Sequence, residues 1–290
     1  MPELPEVETL AADLRPHLVG RTITACELRC PAIVRHPEPG RFAAGLAGRR
    51  IQAVSRRGKY ILHHLDWPRP RPSPDGAEAA GRNPALLVVH LGMTGQWRCV
   101  PPEEPEPDPL HAVMSLDDGR QLRYRDIRRF GRLLLGSESE LVAARQLPRL
   151  GPEPVDPAFT AGDLYRRLHV RRAPLKALLL DQTVVAGVGN IYADESCFRA
   201  GVRPDRPGES LSRRAVGRLH EALAGVLREA IANRGSSVDT YRDAWGEMGG
   251  EQELLQVYGR GGQPCPRCGR PLAVVRLAGR TTVFCRRCQR

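Results

Sequence analysis

The sequence predicts an α+β chain: an N-terminal helix plus an antiparallel β-sandwich, then a helical domain with a C-terminal cysteine ribbon. Three observations carry this. One helical apolar stripe near the start gives way to short alternating runs over residues 22–135; the texture turns helical after "LPRLGPEPVD"; and four cysteines close the chain as "CPRC" and "CRRC". A length of 290 residues suits more than one domain. The composition shifts place the boundaries at 1–150, 151–255 and 256–290.

The first helix is predicted from Pro5, where Val7, Leu10, Ala11, Leu14 and Leu18 recur at helical spacing until Gly20 stops them. Pro5 suits a first turn, and Glu6 and Glu8 suit the positive end of the helix dipole. The runs "TITACEL", "IQAVSRR", "KYILHHL", "ALLVVHLG", "HAVMSL" and "QLRYRD" are short, mostly alternating and parted by Gly, Pro and Asp, which predicts strands. Several strands behind one helix predict a sandwich with the helix laid against it. Two Pro-rich polar stretches, 66–84 and 101–109, read as mobile surface loops. Thr160 with Asp163 forms a capping-box pattern, and "SRRAVGRLHEALAGVLREAIANRG" is the clearest helix, with Val216, Leu219, Leu223, Val226 and Ile231 in one stripe. Residues 235–256 are glycine-rich and read as irregular. The ribbon holds "LAVVRLAGRTTVF", a hairpin turning at Ala278–Gly279.

The net charge of +11 points to an anionic polymer, most simply a nucleic acid. A secretory signal would be basic where this chain opens with glutamates, and no apolar run approaches ~18 residues. A cytoplasmic chain without membrane attachment is therefore expected. Cys26, Cys30, Cys99 and Cys197 are scattered and read as small buried hydrophobes. The other four are spaced C-x2-C-x16-C-x2-C. Each C-x2-C turn offers two thiolates to one ion, so Cys265, Cys268, Cys285 and Cys288 are expected to hold one structural Zn2+. Disulfides are a poor alternative in a chain without a secretion signal.

Candidate chemistry lies at four places. Of the 44 basic residues only Lys59 and Lys176 are lysine, and lysine, unlike arginine, can exchange a proton near neutral pH. In "DQTVVAGVGNIYADE", glycines ahead of a helix leave backbone N–H groups for an anion such as phosphate. In "HLGMTG" and "RYRDIRRFG", Met93 and Phe130 stand beside glycines and arginines. Either they are core, or they are apolar wedges that fill the space left by an extruded base. Finally, "MPELPEVETL" places proline second. If Met1 is removed, Pro2 carries a free secondary amine that titrates near ~8, against ~10.4 for lysine, so a useful fraction is neutral without burial. Attack by that amine on a sugar C1′ gives an obligatorily cationic iminium, an electron sink, with Glu3 beside it to move protons.

Together "MPELPEVET", "GKY", "HLGMTG", "RDIRRFG", "LGPEP", "DQTVVAGVGNIYADE", "VYGR" and the terminal "CPRCG…GRTTVFCRRCQR" resemble the bacterial formamidopyrimidine-DNA glycosylase family nearly end to end. The resemblance implies a helix-plus-sandwich domain joined to a helix–two-turns–helix domain with a zinc finger, DNA running through the cleft between them, and a monomeric repair enzyme. It implies that Pro2 attacks C1′ of an oxidised purine nucleotide such as 8-oxoguanine or a formamidopyrimidine, with Glu3 as general acid/base and Glu6 in support. β- and δ-elimination would follow, served by Lys59 and Arg280. For Arg280 we favour phosphate orientation, since arginine is a poor proton donor. Met93, Arg128 and Phe130 match the gap-filling residues. His90, His111, Arg171, Lys176, Asn190 and Tyr258 match DNA contacts, and Ser236, Ser237, Thr240 and Tyr241 match a mobile loop closing over the flipped base. The chain departs from the family at "DPLH", where only His111 remains of a Lys-His-x-His run, and around Glu251, where an aromatic is replaced.

Three alternatives stand beside this reading: an endonuclease VIII-type glycosylase for oxidised pyrimidines, a zinc-ribbon DNA-binding protein without catalysis, and an interaction module using the Pro-rich loops. The set of Pro2, Glu3 and Lys59 is more than a pure binder needs.

Overall fold

A computed structural model describes residues 1–66, 85–238 and 240–290. The first Pro-rich stretch, from residue 67 on, lies outside the described residues. The chain divides into two units. One comprises Met1–Pro2, Glu6–Pro148 and Ser237–Gly249, the other Glu3–Pro5, Arg149–Ser236 and Gly250–Arg290.

In the first unit, helix α1 (Leu4–Leu18), from Glu6 on, buries the predicted stripe of Val7, Leu10, Ala11, Leu14 and Leu18. Strands β1 (Ile23–Leu28), β7 (Ala112–Leu116), β8 (Gln121–Asp126) and β6 (Gly95–Val100) form a four-stranded sheet in that order. A five-stranded sheet runs β2 (Val34–His36), β9 (Arg132–Gly136), β5 (Ala85–His90), β4 (Tyr60–Leu65), β3 (Ile51–Arg57). All pairs are antiparallel except β2 with β9, so the sandwich carries one parallel pair.

The shared core takes Trp97, Met114, Leu122 and Tyr124 from the first sheet and Ile61, Leu87, Val89 and Leu133 from the second, with Phe42 and Leu46 of helix α2 (Pro39–Leu46). The opposite face of the larger sheet is covered too, by Leu141 of helix α3 (Glu138–Ala143) over Leu86, Val88 and Leu134. Burial on both faces explains why "ALLVVH" and "RLLLG" read as unbroken apolar runs. Cys99 and Cys197 are buried as expected, whereas Cys26 and Cys30 are only half-buried.

The second unit contains helices α4 (Ala161–His169), α5 (Leu175–Leu180), α6 (Asn190–Ala200) and α7 (Arg213–Ala232), then hairpin β10 (Ala273–Leu277)–β11 (Arg280–Phe284). The Thr160–Asp163 capping box forms in both directions. In α7, Ser212 caps the N-terminus and Val216, Leu219, Leu223 and Val226 face the core, with Ile231 half-buried beside them. The hairpin turns through Ala278 and Gly279, at φ 49° and 72°, the two positive values a type I′ turn requires.

Two of the expected loop regions carry hydrogen bonds and packing of their own. In the 101–109 stretch, the Arg123 guanidinium donates to the carbonyls of Glu104 (2.7 Å) and Pro102 (3.1 Å), and Arg98 pairs with the Glu104 carboxylate (2.6 Å). The glycine-rich segment that follows α7 is irregular but packed, since Tyr241 and Ala244 belong to the sandwich core. Backbone carbonyls and single anchoring side chains hold both, a bonding mode with no composition signature.

Candidate active site and nucleic-acid interface

In the second unit Glu3 is buried, and its carboxylate accepts the backbone N–H groups of Gly189 (2.6 Å) and Ile191 (2.9 Å) at the start of α6. The Leu4 N–H donates to the Gly187 carbonyl (2.9 Å), and a β-carbon on Gly187, at φ 91°, would lie 2.6 Å from Leu4. Glycine there lets the N-terminal segment reach the helix end. The expectation that this glycine turn holds its N–H groups open to phosphate is therefore corrected. The anion at the helix N-terminus is the chain's own Glu3, placed where the dipole favours it. Asn190 follows directly; its Nδ2 reaches the Tyr258 hydroxyl (3.5 Å), so two of the predicted contacts come together. Tyr258 is set by Glu195, whose buried carboxylate accepts the N–H groups of Gln256, Val257 and Tyr258 at 2.8–3.0 Å. Arg171 is exposed and pairs with Asp181 (3.2 Å).

Lys176 takes a different place from the one expected. It is fully buried, its ammonium 2.7 Å from Asp194 and 2.9 Å from the Thr281 carbonyl, so it does not present charge to a DNA backbone. Burial pushes the Asp194 carboxyl up to about 6 against the pull of Lys176, and Asp194 also accepts the Val283 N–H (3.0 Å). The pair therefore joins α5 and α6 to strand β11, which begins at Arg280. Arg280 itself is exposed, beside the hairpin turn.

In the first unit Pro2 and Glu6 are buried, and the Tyr241 hydroxyl donates to the Glu6 carbonyl (3.3 Å). Lys59 sits in the two-residue turn between β3 and β4, behind Gly58 at φ 57°, and is buried. His90 ends β5 opposite Tyr60, their rings 4.9 Å apart. Burial, then Arg132, then Lys59 bring its pKa down to about 4. It is a neutral imidazole at pH 7, accepting the Gly92 N–H on Nδ1 (3.2 Å).

His63, fully buried against Trp97, is likewise brought down to about 4 by burial. An unfolded histidine titrates near ~6.5, so between that pH and 4 the unfolded chain binds more protons. The stability these two contribute is full above ~6.5 and is lost as pH falls. From pH 7 to 5 the loss is about 2 kcal/mol per histidine. Melting at the two pH values checks this: His90→Gln should shrink the acid-induced drop, and an unchanged drop contradicts the assignment.

The two arginine- and glycine-flanked loops meet on a buried carboxylate. Asp126, fully buried, accepts the N–H groups of Arg128 (3.2 Å) and Gly131 (2.7 Å) and the Thr94 hydroxyl. A β-carbon on Gly92 would come within 2.6 Å of the Phe130–Gly131 backbone. The consequence is a fixed platform from which Phe130 projects, 52% exposed, with the Arg128 guanidinium 4.6 Å above its ring; Met93, between Gly92 and Thr94 of the other loop, is half-buried. Phe130 is thus not core, which favours the wedge over the packing alternative. Asp126 and Thr94 were missed because one acid inside "RYRDIRRFG" reads as a solvated counter-charge. His111 is corrected: it is buried, with Nε2 2.9 Å from the Asp126 carbonyl, a core histidine rather than a DNA contact. Ser236, Ser237 and Tyr241 are also buried, and Thr240 is exposed.

The four terminal sulfurs lie within 4.8 Å of one another, with Cys265–Cys288 at 3.9 Å and Cys268–Cys285 at 3.5 Å. Tetrahedral zinc with bonds of ~2.3 Å needs sulfurs ~3.8 Å apart, so the residues fit the ion.

Residues 1–133 match the family model of the formamidopyrimidine-DNA glycosylase N-terminal domain, 150–242 that of its H2TH domain, and 262–290 that of a zinc finger found in FPG and IleRS. The chain belongs to the formamidopyrimidine-DNA glycosylase family. It is 44% identical to the formamidopyrimidine-DNA glycosylase of Geobacillus kaustophilus across the whole of both chains. It is 48% identical to that of Moorella thermoacetica over 95% of each. Among solved structures, MutM (Fpg) from Thermus thermophilus superposes with a TM-score of 0.83 at 44% identity, covering 99% of this chain and 98% of that one. A Lactococcus lactis Fpg variant in complex with Fapy-dG-containing DNA gives 0.87 at 34% identity over all of both chains. The zinc-finger match and the sulfur cluster together give this family member one structural zinc site. Among the described residues no helix is long and apolar enough to cross a membrane.

Proposed function

We propose that this chain removes oxidised purines, 8-oxoguanine and formamidopyrimidines, from duplex DNA and then cuts the strand, acting as a monomer in the bacterial cytoplasm. The observation that carries the reading is the anchoring of Glu3. Its carboxylate is locked by two backbone N–H groups immediately after Pro2, which makes the residue beside the candidate nucleophile a fixed one. The Lactococcus lactis Fpg was crystallised with DNA containing Fapy-dG and with DNA containing an abasic site, the substrate and intermediate classes this reading needs.

Once Met1 is removed, the Pro2 nitrogen bonds to C1′ as the glycosidic bond breaks and its electron pair leaves with the base. The C1′–O4′ bond then opens, its electron pair going to O4′ with a proton from Glu3, and the resulting iminium acidifies C2′–H. Loss of that proton and of the 3′ phosphate is β-elimination, and loss of the C4′ proton and of the 5′ phosphate is δ-elimination. Glu3 moves the proton at the sugar oxygen, with Glu6 in support. Lys59, held in a tight turn, is the cation for the 3′ phosphate, and Arg280 orients phosphate. Phe130, Met93 and Arg128 fill the gap left by the base. His90, Arg171, Asn190 and Tyr258 are assigned to the DNA backbone, and Ser236, Ser237, Thr240 and Tyr241 to the extruded base. The zinc ribbon carries Arg280 and takes no chemical step.

Borohydride trapping on a duplex with 8-oxoguanine opposite cytosine, followed by mass mapping, tests this. An adduct on Pro2 is expected. Trapping only on oxidised pyrimidine would move the assignment to the endonuclease VIII-type class. No adduct on either, from protein beginning at Pro2 with zinc bound, would leave a DNA-binding protein without the reaction.

A further inference from the structure

We propose that Arg98 is a positioning residue for base release: it ties the segment Ser237–Gly249 to the Pro-rich stretch 101–109, so that this stretch sets where the base-covering segment rests. The inference rests on the functional reading above.

Gln96 and Arg98, two apart on β6, point to the same outer face of the sheet, while Trp97 and Cys99 point into the core. From that face Gln96 Nε2 donates to the Thr240 carbonyl (3.3 Å) and Arg98 Nη2 to the Trp245 carbonyl (3.2 Å). Gly246, at φ 88°, turns the chain over the guanidinium, where a β-carbon would stand 3.5 Å from Arg98. The segment touches α1 as well, through the Tyr241 hydroxyl on the Glu6 carbonyl and through Trp245 edge-on to His17 at 4.9 Å. Asp243 stiffens the turn between these contacts, accepting the N–H groups of Trp245 and Glu247, both at 2.9 Å.

Arg98 is distinctive because its cross-strand partner is Arg123. Like charges directly opposite on a sheet repel and would swing the more exposed side chain away. Here the 101–109 stretch lies over both. Arg123 is saturated by carbonyls from Pro102, Glu104 and Pro105, and Arg98 Nη1 pairs with the Glu104 carboxylate at 2.6 Å. A partly exposed ion pair contributes little to stability, but this one decides which way a guanidinium points, and that guanidinium holds Trp245. Glu104 thus reaches the segment through Arg98.

The test compares Arg98→Ala, Glu104→Ala and the double variant in single-turnover assays on 8-oxoguanine duplex and on a preformed abasic site, where no base needs covering. Arg98→Ala should slow base release roughly tenfold, the scale of one lost charge-assisted hydrogen bond. It should leave abasic-site cleavage within about twofold. Glu104→Ala should slow base release in the same selective way by about threefold, and the double variant should be no slower than Arg98→Ala, because the two act in series. Hydrogen exchange of the 237–249 amides should quicken in both single variants, a readout independent of catalysis. Equal losses on both substrates, multiplicative losses in the double variant, or unchanged exchange would each overturn the proposal. Should Arg98→Ala not fold, Glu104→Ala decides alone. Failure of the wild type to trap DNA would sink the functional reading instead, leaving the exchange result to judge the tether.

Discussion

Replacing Pro2 with glycine is expected to slow base release and strand cleavage by about a hundredfold while lesion binding stays within a few-fold. Glycine keeps an N-terminal amine of similar basicity, so the change tests more than the presence of a nucleophile. It removes the pyrrolidine ring that fixes the direction of the nitrogen lone pair, and a small misplacement of an attacking atom is worth about that factor. It also makes the amine primary, so the Schiff base can shed its proton and lose the charge that drives elimination. Binding should persist because the Phe130 platform and the ribbon are untouched. Single-turnover excision beside equilibrium binding makes the measurement, and wild-type rates would remove Pro2 from the mechanism. Glu3→Gln is less clean. An amide would turn its NH2 toward one of the two N–H donors, Gly189 or Ile191, at a cost of about 1–3 kcal/mol for the group left unsatisfied. A loss of activity there speaks to chemistry only if α6 is intact.

Much of this site was legible in the sequence because its parts are local. The α1 stripe, the α7 stripe and the cysteine spacing each depend on near neighbours, and each formed as read. What escaped depends on distant partners. β2 is three residues long and pairs in parallel with β9, and neither has an alternating pattern to announce it. Lys176 was singled out because lysine, unlike arginine, can exchange a proton, whereas the structure buries it in an ion pair. A compact cation fits a fully buried pair with Asp194, and Asp194 looks like any polar residue on a helix. The glycine turn before α6 was read as an anion site, and it is one. Its anion comes from the other end of the chain, which no local pattern reveals. His111 shows the converse: a histidine kept at a family motif position turns out to serve the core carbonyl of Asp126.

Stripping zinc is expected to abolish DNA binding while the β-sandwich remains folded. The ribbon's own core is little more than Val257, Leu272 and Val283 around the sulfurs, with Phe198 of α6 against them, and a module of this size does not fold alone without a metal. Structural zinc contributes about 10–16 kcal/mol in isolated fingers, far more than so few side chains can replace. The helical part of the unit has reason to respond as well. Thr281 and Val283 supply a carbonyl to Lys176 and an N–H to Asp194, and Gln289 donates to the Val202 carbonyl at 3.0 Å. Once the hairpin loosens, the Lys176–Asp194 pair is left with fewer hydrogen bonds, the situation in which buried ions cease to be tolerated. Exchange should therefore quicken first in β10–β11 and then at the α5 and α6 contacts, with β4, β5 and β8 still protected and Arg280 no longer held against phosphate. Affinity for lesion DNA should be lost, and added zinc should restore it. Retained affinity in metal-free protein, or loss of protection in the sandwich at the same chelator concentration, would show that the ribbon is not the separately metal-dependent part of the interface.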